Sequence, residues 1–190
     1  MLFRSAANIG GKQVGVPSTA EAFGLLYNKK VLDAAGIDPS TIKTRADLEA
    51  AFKTLEGKGY NAVHFSAIWW SLGAHFTNIF HASAGKTHEA RLSVLDGLAD
   101  GTKSLSSDAT FKNWLATFDL LKKYNKSKVN LTDTEYDASI ADLSGGKYGF
   151  LFQGNWTEPN LLQASATTNF GIMPLPIRDR KSTRLNSSHT

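Results

Sequence analysis

Apolar residues in this chain fall into short compact runs separated by longer stripes of three-four spacing, the pattern of strands alternating with helices. Residues 9–17 read as a turn feeding a short strand that stops at Pro17, which cannot donate to a ladder. A second strand is expected over 22–27, until Asn28 and Lys29 break the apolar run. Residues 30–35 suit a short helix closed by Gly36. Thr44 followed by Asp47 resembles a capping box, with Leu48, Phe52 and Leu55 forming one apolar face behind it. Lys58-Gly59 ends that helix.

Residues 62–67 read as the next strand. Residues 69–82 read as a helix whose stripe is Trp69, Leu72, Phe76 and Ile79. No element is assigned between 83 and 106. Ser107 or Asp108 can cap the clearest helix, in which Phe111, Trp114, Leu115, Phe118 and Leu121 recur as a buried stripe. A helix over 134–143, a turn at Gly145-Gly146 and a strand over 148–153 follow, the last apolar enough for burial on both faces. Leu161 and Leu162 belong to a short helix, and 170–175 to a last strand. The alternation predicts an α/β architecture with a largely parallel sheet.

Composition narrows the function. The 190 residues are 42% hydrophobic and 20% charged, which describes a globular domain with one core rather than a disordered tail. Apolar stretches such as Phe150-Leu151-Phe152 are far too short to span a bilayer. No basic n-region followed by an apolar h-region opens the sequence, so the expectation is either a cytoplasmic protein or one whose start lies outside these residues. The absence of cysteine excludes a disulfide framework, a thiolate nucleophile and Cys-ligated zinc. Half of the net charge of +4 sits at the end, where Asp179-Arg180-Lys181-Ser182-Thr183-Arg184-Leu185-Asn186-Ser187-Ser188-His189 resembles translated sequencing adapter. Without residues 179–190 the balance is 18 basic against 16 acidic residues, and no basic stripe remains for nucleic acid.

Candidate chemistry is sparse. Gly85-Lys86-Thr87 resembles the end of a phosphate-binding loop, but Phe80 stands where the first glycine belongs, so a surface turn is expected. His64, His75, His81 and His88 lack the four-residue spacing that puts two imidazoles on one helical face, which argues against a metal site. There is no Gly-x-Ser-x-Gly elbow. The tryptophans are more informative. Trp69, Trp70 and Trp156 each follow a predicted strand, where open α/β sheets bind ligands. A sugar's C–H face stacks on indole, and its hydroxyls need acceptors such as a carboxylate. The competing expectation is that such residues are core: helical geometry turns one of Trp69 and Trp70 inward, and Trp114 sits mid-stripe.

Gly11-Lys12-Gln13-Val14-Gly15-Val16-Pro17, followed by Glu21-Ala22-Phe23-Gly24-Leu25-Leu26-Tyr27-Asn28-Lys29, resembles the hinge region of the family 1 solute-binding proteins, the maltose-binding-protein-like group. The Thr44-capped helix is similar to one in that family, although Arg45 stands where tryptophan is common. Gly145-Gly146-Lys147, a strand and Gly154-Asn155-Trp156 resemble its Gly-Lys, strand, Gly-x-Trp signature, and Phe170-Gly171-Ile172-Met173-Pro174-Leu175-Pro176 the strand after it. The ordered match runs from about residue 9 to 177.

The resemblance implies a periplasmic-binding-protein-like type II fold that closes two lobes around a ligand. It divides the chain into a remnant of the first lobe and hinge strand (1–21), a second α/β lobe (22–177) and a non-native tail (178–190). Most of the first lobe, the return hinge strand and the C-terminal helices are then expected elsewhere in a longer protein. Glu21 matches a hinge-side carboxylate that accepts sugar hydroxyls, Trp156 a stacking tryptophan, and Trp69 or Trp70 falls near the aromatic cluster, with Asn155 beside Trp156 in the signature. The implied role is the substrate-binding component of a bacterial ABC importer. That component is a monomer outside the cell membrane or in the periplasm, held to the membrane only through a lipid anchor on a preceding segment. It hands a carbohydrate to permease subunits without catalysis, cofactor or metal. The alternatives are a carbohydrate-active enzyme using Glu21 and Glu158, and the ligand-sensing domain of a transcription regulator.

Overall fold

The computed structural model describes residues 8–16, 18–126, 136–165 and 169–179. It opens with a small hairpin of β1 (Asn8–Ile9) and β2 (Lys12–Gln13). Gly10 and Gly11 form its two-residue turn at φ 58° and 78°, a conformation only glycine adopts without strain. Pro17 lies outside the described residues.

β3 (Phe23–Asn28) runs directly into α1 (Lys29–Ala35). Asn28, which breaks the apolar run, is the N-cap: its Oδ1 accepts from the Val31 amide, and its Nδ2 donates to the Leu143 carbonyl at 2.8 Å. Both polar atoms of its buried side chain therefore have a hydrogen-bond partner. Gly36 closes α1 in the left-handed region. In α2 (Arg45–Gly57) the capping box of Thr44 and Asp47 is present in both directions. Behind it Leu48, Phe52 and Leu55 are fully buried, each contributing about 1.5–3 kcal/mol of transfer free energy.

The main sheet has four strands in the order β4-β5-β3-β6, with β4 (Asn61–His64), β5 (Tyr148–Gly154) and β6 (Phe170–Met173) beside β3. The expected largely parallel sheet is corrected to a mixed one: only β4 and β5 run parallel, and β3 is antiparallel to both β5 and β6. Every residue of β5 is buried, because the sheet is covered on both faces. One layer joins Leu25, Phe150 and Phe152 to α1, α2 and α5 (Ala109–Tyr124); the other joins Leu26 and Leu151 to α6 (Tyr136–Ser144) and α7 (Glu158–Ala164).

Several expectations need correction. The stretch 69–82 is not one α-helix but a π-helix, Trp69–Phe76, continued by α3 (Thr77–Ser83). Its proposed stripe fails at Trp69, which is 80% exposed. The unassigned stretch contains α4 (His88–Ala99), capped by Thr87. In α5 Leu115 is exposed and Thr117 takes the buried position instead. The expected start of α6 at 134 lies outside the described residues. Asp179 does not stand apart from the fold: its carboxylate pairs with the Arg45 guanidinium, and the Arg45 amide donates to the Arg178 carbonyl at 3.2 Å. Residues 180–190 lie outside the described residues.

Candidate functional site

Three segments converge at one end of the sheet: the carboxyl ends of β4 and β5, and the amino end of β3, which runs the opposite way. Phe23 opens β3 opposite Gly154, the last residue of β5. Asn155 then ties the chain before β3 to the chain after β5. Its amide donates to the Ala22 carbonyl at 2.9 Å, its Oδ1 accepts from the Ala22 amide at 2.9 Å, and its Nδ2 donates to the Ala20 carbonyl at 3.3 Å. This clamp brackets Glu21. One residue further on, Trp156 turns back over Gly154.

The π-helix supplies the opposite wall. Five residues advance about 500° in an α-helix and would leave Trp70 and His75 about 140° apart. With i→i+5 hydrogen bonding the same two residues fall close to one face, and their rings lie 5.7 Å apart. Thr77 ends this winding, its amide and its hydroxyl both donating to the Leu72 carbonyl. His75 also stacks on Phe23 at 5.5 Å and 20°, and approaches the Trp156 ring at 4.9 Å. Tyr136, at the start of α6, meets Trp70 edge-on at 6.3 Å.

These side chains enclose a concave space of about 470 Å³, with Gln153 and Glu21 supplying its polar lining beside Phe23, Trp70, His75, Tyr136 and Trp156. Burial pushes the His75 imidazole below its ordinary range, so the ring is neutral near pH 7. The site therefore presents aromatic faces, a neutral imidazole, an amide and a carboxylate. It can hold a polar molecule that carries an apolar ring face. Among the described residues no cluster of His, Asp or Glu could hold a metal ion.

The structure brings together three of the five residues singled out in the sequence, Glu21, Trp70 and Trp156. Trp69 points away from the cavity and is exposed, so neither member of the Trp69-Trp70 pair is core, contrary to expectation. The Asn155 side chain is committed to backbone groups rather than the cavity. Trp114 is packed against the core and donates to the Phe76 carbonyl at 2.8 Å. Glu158, the suggested enzymatic partner of Glu21, heads α7 and does not line the space. Phe23, His75, Tyr136 and Gln153 were missed. Gln153 alone had a local signal, as the one polar side chain in the run Phe150-Leu151-Phe152-Gln153.

His64, by contrast, is a core histidine. It lies edge-on to Tyr148 at 5.3 Å, and desolvation, assisted by the nearby Lys126 charge, lowers it to about 4.

The chain is thus a mixed α/β lobe with an aromatic-walled, carboxylate-edged concavity at one end of its sheet. The chain belongs to the bacterial extracellular solute-binding proteins, whose family model matches residues 2–179. Among solved structures it is similar to the binding protein RafE in complex with raffinose, with a TM-score of 0.77 at 20% identity over 95% of this chain and 46% of that one. A chitin oligosaccharide binding protein superposes with a TM-score of 0.68 at 18% identity, over 94% of this chain and 44% of that one. A sugar transporter from Bacillus licheniformis in complex with stachyose gives 0.64 at 19% identity, over 95% and 46%. These likenesses establish a shared fold. The chain spans less than half the length of these relatives.

Proposed function

We propose that this chain is the carbohydrate-contacting second lobe of a substrate-binding protein that delivers an oligosaccharide to an ABC permease. The observation that carries the reading is the convergence of Glu21, Trp70 and Trp156 on one open concavity. Indole faces stack on the weakly polar C–H faces of a pyranose, and a carboxylate accepts its hydroxyls. The relatives named above, described as binding raffinose, stachyose or chitin oligosaccharide, support the same ligand class. Trp69, exposed and outside the cavity lining, is left to a ligand or second lobe that extends past the cavity. Asn155 acts by fixing the segment that carries Glu21.

In this reading residues 1–21 belong to the first lobe and hinge, 22–177 form the second lobe, and 178–190 are a non-native tail whose first two residues dock against Arg45. The whole protein is a monomer on the extracellular face of the membrane or in the periplasm, attached by a lipid anchor and catalysing no reaction. Among the described residues no helix is long and apolar enough to cross a membrane. A ligand enclosed between lobes has most of its surface buried, so one lobe alone retains only part of the affinity.

The test is calorimetric titration of raffinose, stachyose and chitotriose into the full-length protein and into the 190-residue chain. Saturable binding by the former and much weaker binding by the latter is expected, with no glycoside turnover. Hydrolysis of any of these sugars, or no saturable binding to the full-length protein, would overturn the proposal.

A further inference from the structure

His75 is the hub of the aromatic wall, in contact with the rings of Phe23, Trp70 and Trp156. Its Nδ1 is buried with no hydrogen-bond partner. A neutral imidazole carries a single hydrogen, and either nitrogen can hold it. Placing it on Nδ1 would orphan a buried N–H, which is rarer and costlier than leaving a lone pair unmatched. The hydrogen therefore belongs on Nε2. The ring lines the cavity while Nδ1 is turned inward. Nε2–H is the group left to meet a ligand.

We propose that His75 is a specificity-determining residue of this cavity, donating a hydrogen bond from Nε2 to a ligand oxygen held between the Trp70 and Trp156 rings. This rests on the carbohydrate reading above and adds a chemical constraint to it. Glu21 only accepts, whereas His75 donates, so the pair distinguishes sugars by where an acceptor oxygen and a donating hydroxyl sit around one apolar ring face. The π-helix is what makes the device possible, since α-helical winding would carry the imidazole away from Trp70. It also explains why the residue carries no sequence signal: five-residue spacing is not a periodicity of ordinary secondary structure.

The experiment compares raffinose, stachyose and chitotriose binding by the full-length protein and its His75→Phe, His75→Gln and Trp156→Ala variants, with melting temperatures measured alongside. Phenylalanine keeps a ring in the cluster but removes the donor; glutamine restores a donor. His75→Phe should weaken the best-bound sugar about tenfold, the scale of one good hydrogen bond. The loss should differ from sugar to sugar and be partly recovered in His75→Gln. A uniform loss across the three sugars, or equal losses in the two His75 variants, makes the residue a packing element and overturns the proposal. Unchanged affinity in His75→Phe beside impaired Trp156→Ala also overturns it, leaving the carbohydrate reading intact. No binding by the unaltered protein overturns both. Should His75→Phe fail to fold, His75→Leu against His75→Gln makes the same comparison.

Discussion

The indole of Trp156 lies so closely over Gly154 that a Cβ on the glycine would overlap its six-membered ring. Gly154 cannot move aside, because it is held in the β5–β3 ladder opposite Phe23. The Gly-x-Trp spacing is thus a steric requirement: the missing side chain is the space in which the indole folds back to meet His75.

Gly154→Ala should displace that ring. Its backbone, at φ −106°, suits alanine, so stability should change by less than about 1 kcal/mol, as for a substitution without backbone strain. Sugar affinity of the full-length protein should fall by about 1–3 kcal/mol, the loss of one aromatic contact and its buried area. Unaltered affinity together with an unaltered tryptophan emission spectrum would show that the indole does not depend on the glycine.

Trp156, in the cavity wall, and Trp69, exposed outside it, should behave differently. Trp156→Ala is expected to lower affinity by about 1–3 kcal/mol while leaving the melting temperature nearly intact. Trp69→Ala, at a residue 80% exposed, should shift stability by no more than about 0.5 kcal/mol and leave binding of a sugar that fits within the cavity unchanged. A collapse of stability in Trp156→Ala would place that ring in the core.

At Glu21 the prediction concerns an order. Glu21→Gln should bind sugar better than Glu21→Ala, because the amide oxygen still accepts a hydrogen bond, and both should bind less well than the unaltered protein. Titration calorimetry reads the order directly. Equal affinity in all three would remove Glu21 from the site.

Acid stability should depend on Asp142. Its carboxylate accepts from Lys126 Nζ at 2.8 Å, Lys147 Nζ at 2.7 Å and the Tyr148 hydroxyl at 3.2 Å. Desolvation raises its pKa, but the hydrogen bonds from Lys126 and Lys147 outweigh that and hold it at about 2. A carboxyl lowered on folding stabilises above its unfolded value, here 3.8, and loses that contribution as pH falls toward 2. Asp142→Asn should therefore cost about 1.5–3 kcal/mol near neutrality, the range for hydrogen bonds to charged groups. The variant should also be less sensitive to acid between about pH 4 and pH 2. Urea midpoints measured across that range decide it: parallel curves for the two proteins would rule the network out.

Much of the architecture was legible because its causes are local. The Thr44-Asp47 box, the Gly36 cap and the buried run of β5 each depend on residues within a few positions of one another. Other features escaped for equally physical reasons. α4 buries only Val94 and Gly97 and leaves Leu92 and Leu95 exposed, so it offers no apolar stripe to detect. Strand direction depends on which segments pair, and β3 lies between β5 and β6, both far along the chain; nothing within residues 23–28 encodes that choice.

The same division runs through the site. The sequence by itself determined that tryptophans follow strands, that Glu21 precedes one, and that a glycine stands two residues before Trp156. Only the tertiary structure decided that Trp70 rather than Trp69 faces the cavity, that Asn155 serves as a clamp, and that His75 joins the two walls. Side-chain direction along this stretch is fixed by π-helical winding, and the contacts themselves link residues 23, 70, 75, 136 and 156. Such proximity follows from the sheet order and from the way the covering helices pack on it, which no local pattern specifies.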